Sequence, residues 1–149
     1  MFQNAYMSKA EKKKFKNNWP PAAKAWMDRV NYDWETARAM YKTGRYLYVV
    51  FMCQQAIEKI LKAILAFQGK EIKPIHHLPK LAELAGIRQE FDEDTLTLIE
   101  SLSGYYLNSR YKETIETLAK AIGKKEAKDY LTKTERVITW LTQKMKPLA

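Results

Sequence analysis

Apolar residues return at helical spacing along most of this chain, and no stretch shows the strict alternation of a half-buried strand. From Ala22 to Thr43, Trp26, Val30, Ala37 and then Met40 or Tyr41 share one stripe, and Gly44 is placed to end the helix. From Arg45 to Gln68 the stretch YLYVVFMCQQAIEKILKAILAF is apolar around most of its circumference, which predicts the central, most buried helix. Gly69 and Pro74 break the chain. HHLPKLAELAG then reads as a short helix with Leu78, Leu81 and Leu84 on its underside. Residues 92–108 predict a third long helix, capped by Asp92 or Asp94 and buried along Leu96, Ile99, Leu102 and Tyr106. It runs into Asn108-Ser109, where asparagine suits the left-handed conformation that ends helices. After a partly helical connection, Gly123-Lys124 opens the last helix, with Ala127, Tyr130 or Leu131, Thr134, Val137 or Ile138, and Leu141 inside. The expected fold is all-α: an antiparallel, up-and-down bundle of four to five helices.

The polar residues that interrupt these stripes carry more information than the stripes. Asp33 falls on the buried line of the first helix, three residues after Val30 and four before Ala37. A carboxylate there costs several kcal/mol, as an order of magnitude, unless it is paired, so a cationic or hydroxyl partner on another helix is expected. On the central helix Gln55, Glu58 or Lys59, and Lys62 form a polar line. It is either the wet side of an amphipathic helix or, at Gln55, a buried hydrogen bond. His77 is read as a helix-start residue bonded to the neighbouring helix, with Glu58 as its partner. Asp33, Gln55, Glu58, Lys59, Lys62 and His77 together make a candidate polar seam.

Charge changes the picture only at the ends. The chain has 149 residues and a net charge of +9. Residues 1–24 hold six lysines and one glutamate, residues 25–123 are neutral, and residues 124–149 hold seven basic and three acidic side chains. Residues 1–18, with a lysine run and no sustained apolar period, are expected to be a basic mobile arm, and residues 19–146 the folded domain. Such an arm raises non-specific affinity for nucleic acid without making a reading surface. The single cysteine, Cys53, excludes an internal disulfide and reads as a core thiol. No apolar run is long enough to span a bilayer and no signal-peptide pattern is present, so a cytoplasmic setting without membrane contact is expected.

The inventory of chemistry is short. There is no glycine-rich phosphate loop, no paired-carboxylate metal motif and no Cys/His cluster, so neither a metal nor a cofactor is expected. His76 and His77 are adjacent and cannot face the same way on a helix, which argues against a zinc site. The candidate ligand-binding residues are Tyr106, Asn108, Arg110, Tyr111 and Lys112, in the stretch YYLNSRYKE. Arginine holds phosphate well and is a poor general base, and tyrosine offers a hydroxyl or a stacking face. These residue types favour binding over catalysis.

Four segments, in order, resemble the HEPN domain family. FMCQQAIEKILKAIL is similar to the family's second-helix signature, HHLPKLAEL to its His-x-Leu helix, and YYLNSRYKE to its Arg-Tyr-Pro segment; Trp26, Asp33 and Ala37 match its first helix. The resemblance implies a helical bundle that forms homodimers and associates with a small nucleotidyltransferase, often as a toxin–antitoxin pair. It also implies nucleotide or RNA binding, and many members are metal-independent ribonucleases. That ribonuclease group carries an arginine followed four to six residues later by a histidine. Here no arginine is followed so, and Lys112 stands where proline is usual. The resemblance is thus to Arg-Tyr-type members. It implies a binding module with Arg110 on phosphate and Tyr111 beside it, Asn108 positioning the segment, and the seam holding it. A toxin-like ribonuclease and a dimeric module whose seam only fixes helix register are the alternatives.

Overall fold

The computed structural model describes Lys9, residues 18–111 and residues 114–146, with the backbone alone at positions 108–111. Apart from Lys9 and Asn18, the expected basic arm lies outside the described residues, as does Lys112. Six α-helices and no strand occur among the described residues: α1 (Pro21–Lys42), α2 (Tyr46–Phe67), α3 (Leu78–Leu84), α4 (Glu93–Tyr111), α5 (Ile115–Ala121) and α6 (Lys124–Thr142). The fold is an all-α bundle of four long helices, with α3 and α5 as short connecting ones.

Local chemistry sets the ends of the helices. Pro21 opens α1, where a missing N–H leaves nothing unsatisfied. Gly44 takes φ 78°, and Arg45 N–H then donates back to Met40 O at 2.8 Å, turning the chain into α2 within three residues. A turn that short makes α1 and α2 antiparallel neighbours. Gly69 repeats the device after α2, with φ 69° and a bond from Lys70 N–H to Leu65 O. Asp92 caps α4 by accepting from Thr95 N–H at 2.8 Å.

α2 is the axis of the bundle and packs against each of the other five helices. Val49, Val50, Cys53, Ile57, Ile60, Leu61 and Ile64 are fully buried along it. Burial pushes the Cys53 thiol up to about 12, partly opposed by the neighbouring Thr134 hydroxyl of α6. The two ends of the domain are tied together where Trp19 Nε1–H donates to Met145 O at 2.9 Å in a buried setting.

Two sequence expectations need correction. The buried arc of α1 is Ala23, Met27, Val30, Trp34 and Ala37, while Trp26 sits half-buried at its edge. α1 packs against both α2 and α6, so its buried arc is wide and is not centred on Trp26. α4 also does not stop at Asn108-Ser109 but stays helical through Tyr111. No described residue other than glycine takes a positive φ, so Asn108 does not act as a left-handed terminator. The connection shrinks accordingly: Thr114 already caps α5, its hydroxyl accepting from Thr117 N–H. No helix among the described residues is long and apolar enough to cross a membrane.

Candidate functional site

The polar residues of α2 lie on two adjacent i,i+4 lines. One is Gln54, Glu58 and Lys62; the other is Gln55 and Lys59. Lys59 Nζ forms an ion pair with Asp33 of α1, with only 17% and 13% of the two side chains exposed. Asp33 therefore has the cationic partner on another helix that its place in the stripe demanded. Lys59 also donates to Gln55 Oε1 at 3.3 Å, and Gln55 Nε2 donates to Gln54 Oε1 at 2.7 Å. Gln54, fully buried, passes the line on by donating to Glu58 Oε1 at 3.1 Å and to the His76 carbonyl at 3.3 Å.

Glu58 is the hub. Its side chain is 4% exposed; Lys62 Nζ donates to Oε2 at 3.1 Å, and His76 Nδ1 stands 3.1 Å from Oε1. Both carboxylate oxygens are engaged, which is what a buried charge needs to persist. The wet-stripe reading of this face is thereby excluded, since Glu58 and Lys62 are both buried.

His77 does not join the seam. It caps α3, its Nδ1 accepting from Lys80 N–H at 3.3 Å, and His76 takes the place at Glu58 expected of it. The cap explains the swap. His77 directly precedes Leu78-Pro79 and has extended backbone, so the two neighbouring rings diverge. Gln54 and His76 were the residues that sequence reasoning missed. The i,i+4 spacing of Gln54 to Glu58 was a usable signal; nothing local distinguished His76 from His77.

Beyond Glu58 the seam opens to solvent. The His76 ring is 45% exposed and lies 5.5 Å, centroid to centroid, from the Tyr106 ring of α4. At the other side Lys62 Nζ stands 5.6 Å from the Trp26 ring, and Arg29 lies over the same ring at 4.7 Å. A continuous run of contacts therefore leads from Arg29 and Trp26 through Lys62, Glu58 and His76 to Tyr106. Ser103, one turn before Tyr106, accepts from the first N–H of α3, Leu78 N–H, at 3.1 Å and fixes α4 against α3. Helical register continues the line of Ser103 and Tyr106 to position 110. The side chains of Asn108, Arg110 and Tyr111 lie outside the described residues. Among the described residues, no group of three or more His, Cys, Asp or Glu side chains is arranged to hold a metal.

The HEPN domain family model matches residues 23–145, nearly the whole helical region. The chain belongs to the HEPN domain family. Among solved structures it is similar to ST0689, an archaeal HEPN homologue, at 25% identity and a TM-score of 0.69, covering 85% of this chain and all of that one. It also shares its fold with TT1696 from Thermus thermophilus, at 22% identity and a TM-score of 0.70, covering 84% of this chain and 99% of that one. No curated protein matches the chain.

Proposed function

We propose that this HEPN domain is a binding module for a nucleotide or a short stretch of RNA, docked at the open end of the polar seam and working with a small nucleotidyltransferase. The observation that carries the reading is the half-exposed His76 ring, anchored from below by buried Glu58 and flanked by the Tyr106 ring. A base finds ring faces there. Position 110 lies one helical turn beyond Tyr106, and in this reading Arg110 supplies the cation for a phosphate. Asn108, Tyr111 and Lys112 are assigned to the same ligand-binding set, while Asp33, Gln55, Glu58, Lys59 and Lys62 hold the platform. A homodimer in the cytoplasm, with residues 1–18 as a basic arm and residues 19–146 as the binding domain, belongs to the same proposal.

A second reading has its own support. The described seam residues partner one another so completely that the seam would fix helix register with no ligand at all. Titration of fluorescent nucleotides and labelled RNA against wild type and Arg110→Ala separates the two. Loss of affinity by at least about tenfold in the variant supports the binding module, as expected when one charge-assisted contact worth about 1.4 kcal/mol or more is removed. Absent affinity in both proteins, with the variant melting several degrees lower, supports the register role. Arg110-dependent RNA cleavage in the presence of chelator would instead make the protein a ribonuclease. Co-purification of a nucleotidyltransferase with the tagged chain tests the partner.

A further inference from the structure

Lys124 and Lys128 share one edge of α6. Glu126, Asp129 and Lys133 lie toward α4, where with Asp94 and Ser101 they line a cavity of about 300 Å³, and Lys133 pairs with Asp129 at 2.9 Å. Lys128 lies on the other edge, its Nζ 5.6 Å from the Tyr41 ring of α1, and helical spacing puts Lys124 one turn before it. From α1, Arg38 and Lys42 present the same i,i+4 pair next to Tyr41. Lys42, Lys124 and Lys128 are exposed, and Tyr41 and Tyr46 are partly so, with ring centroids 5.8 Å apart and planes tilted by 53°. Glu35 meets Arg38 at 3.3 Å and is itself 61% exposed, and helical spacing puts Glu135 two turns beyond Lys128 on the same line.

We propose that this edge is a docking surface for single-stranded nucleic acid, with phosphates on Lys42, Lys124, Lys128 and Arg38 and a base against the Tyr41–Tyr46 pair. Two features favour nucleic acid over an acidic protein. The cations come in two i,i+4 pairs on neighbouring helices, which makes a track rather than a point. Two aromatic rings sit among them, giving sequence-tolerant stacking faces that an acidic peptide would leave unused. The surface shares no residue with the seam or with the segment around Arg110, so it stands independently of the function proposed above.

The test is fluorescence anisotropy of a labelled single-stranded RNA of roughly 12 nucleotides with the full chain, from about 50 to about 300 mM salt. The triple variant Lys42→Gln/Lys124→Gln/Lys128→Gln is compared with wild type, with circular dichroism confirming the fold. Wild type is expected to bind with a salt-dependent affinity. In the variant the slope of log K against log salt should fall in magnitude by about 2, since each lost phosphate contact on a single strand removes about 0.7. His76→Ala should keep the wild-type slope. An unchanged slope in the triple variant overturns the proposal, as does a slope lost on deleting residues 1–17 and untouched by the triple change. Equally tight, equally variant-sensitive binding of a polyglutamate peptide would also overturn it and make the surface one for acidic proteins.

Discussion

Replacing Glu58 by alanine should be among the most damaging single changes on α2, because of what it strands rather than what it removes. In the native protein Lys62 is 6% exposed at its side chain and its charge is met by Glu58 at 3.1 Å. With the carboxylate gone, a buried ammonium loses its counter-ion and the Gln54 amide loses an acceptor. Breaking a buried pair from one side costs about 3–5 kcal/mol. A loss of about 3–5 kcal/mol corresponds to a Tm lower by about 6–20 °C for a domain of this size. Urea unfolding followed by circular dichroism measures it, with an unchanged m-value showing that both proteins unfold between the same states. The companion Glu58→Leu/Lys62→Met removes both charges while keeping volume, and should return to within about 1 kcal/mol of wild type or exceed it. A loss under about 1 kcal/mol in Glu58→Ala refutes the reasoning. So does a double variant no better than the single one.

Other expectations follow from contacts elsewhere in the bundle. Trp19→Phe removes the buried donor to Met145 O and leaves that carbonyl unsatisfied; a loss of about 1–3 kcal/mol should appear in the same unfolding assay. Cys53, fully buried and with its thiol pushed up to about 12, should not react with a thiol reagent at about pH 8 until urea unfolds the chain. Asp92 is held below the usual carboxylate range, first by the Thr95 hydroxyl and amide and further by Arg136. A depressed pKa means its contribution is present above the ordinary aspartate range and fades as pH falls through the folded value. Asp92→Ala should therefore lower Tm by about 2–4 °C near neutral pH and by less in strong acid, as scanning calorimetry at the two pH values would show.

The architecture was largely legible because it rests on long-period patterning. The apolar girdle of the central helix predicted the burial of α2, and glycine at 44 and 69 marked two of its boundaries. The misreadings arose where a weak local preference met a stronger competitor. Asparagine at 108 favours termination only slightly, and α4 continues past it. Trp26, the largest apolar residue of its turn, looked like core, but the two-sided packing of α1 turned Met27 and Trp34 inward. The seam was half legible. Asp33 betrayed itself as a charge on an apolar face, which must find a partner, whereas the polar line through Glu58 and Lys62 read equally well as a wet face. Gln54, uncharged, showed only in its spacing of four residues to Glu58, whereas His76 sits beside an identical neighbour and needed three-dimensional placement. The position of Arg110 followed from the family resemblance and from helical register, not from any local physical signal.

The central claim is that ligand meets the domain at the open end of the seam, on the exposed edge of His76. The chain contains two histidines, one in the seam and one serving as a cap, so their imidazole resonances give a built-in comparison. In an NMR titration of the ¹⁵N-labelled full chain with nucleotide or short RNA, the His76 ring resonances should shift in step with saturation while those of His77 stay in place. Shifts confined to His77, or a saturated complex with both rings unmoved, would contradict the account.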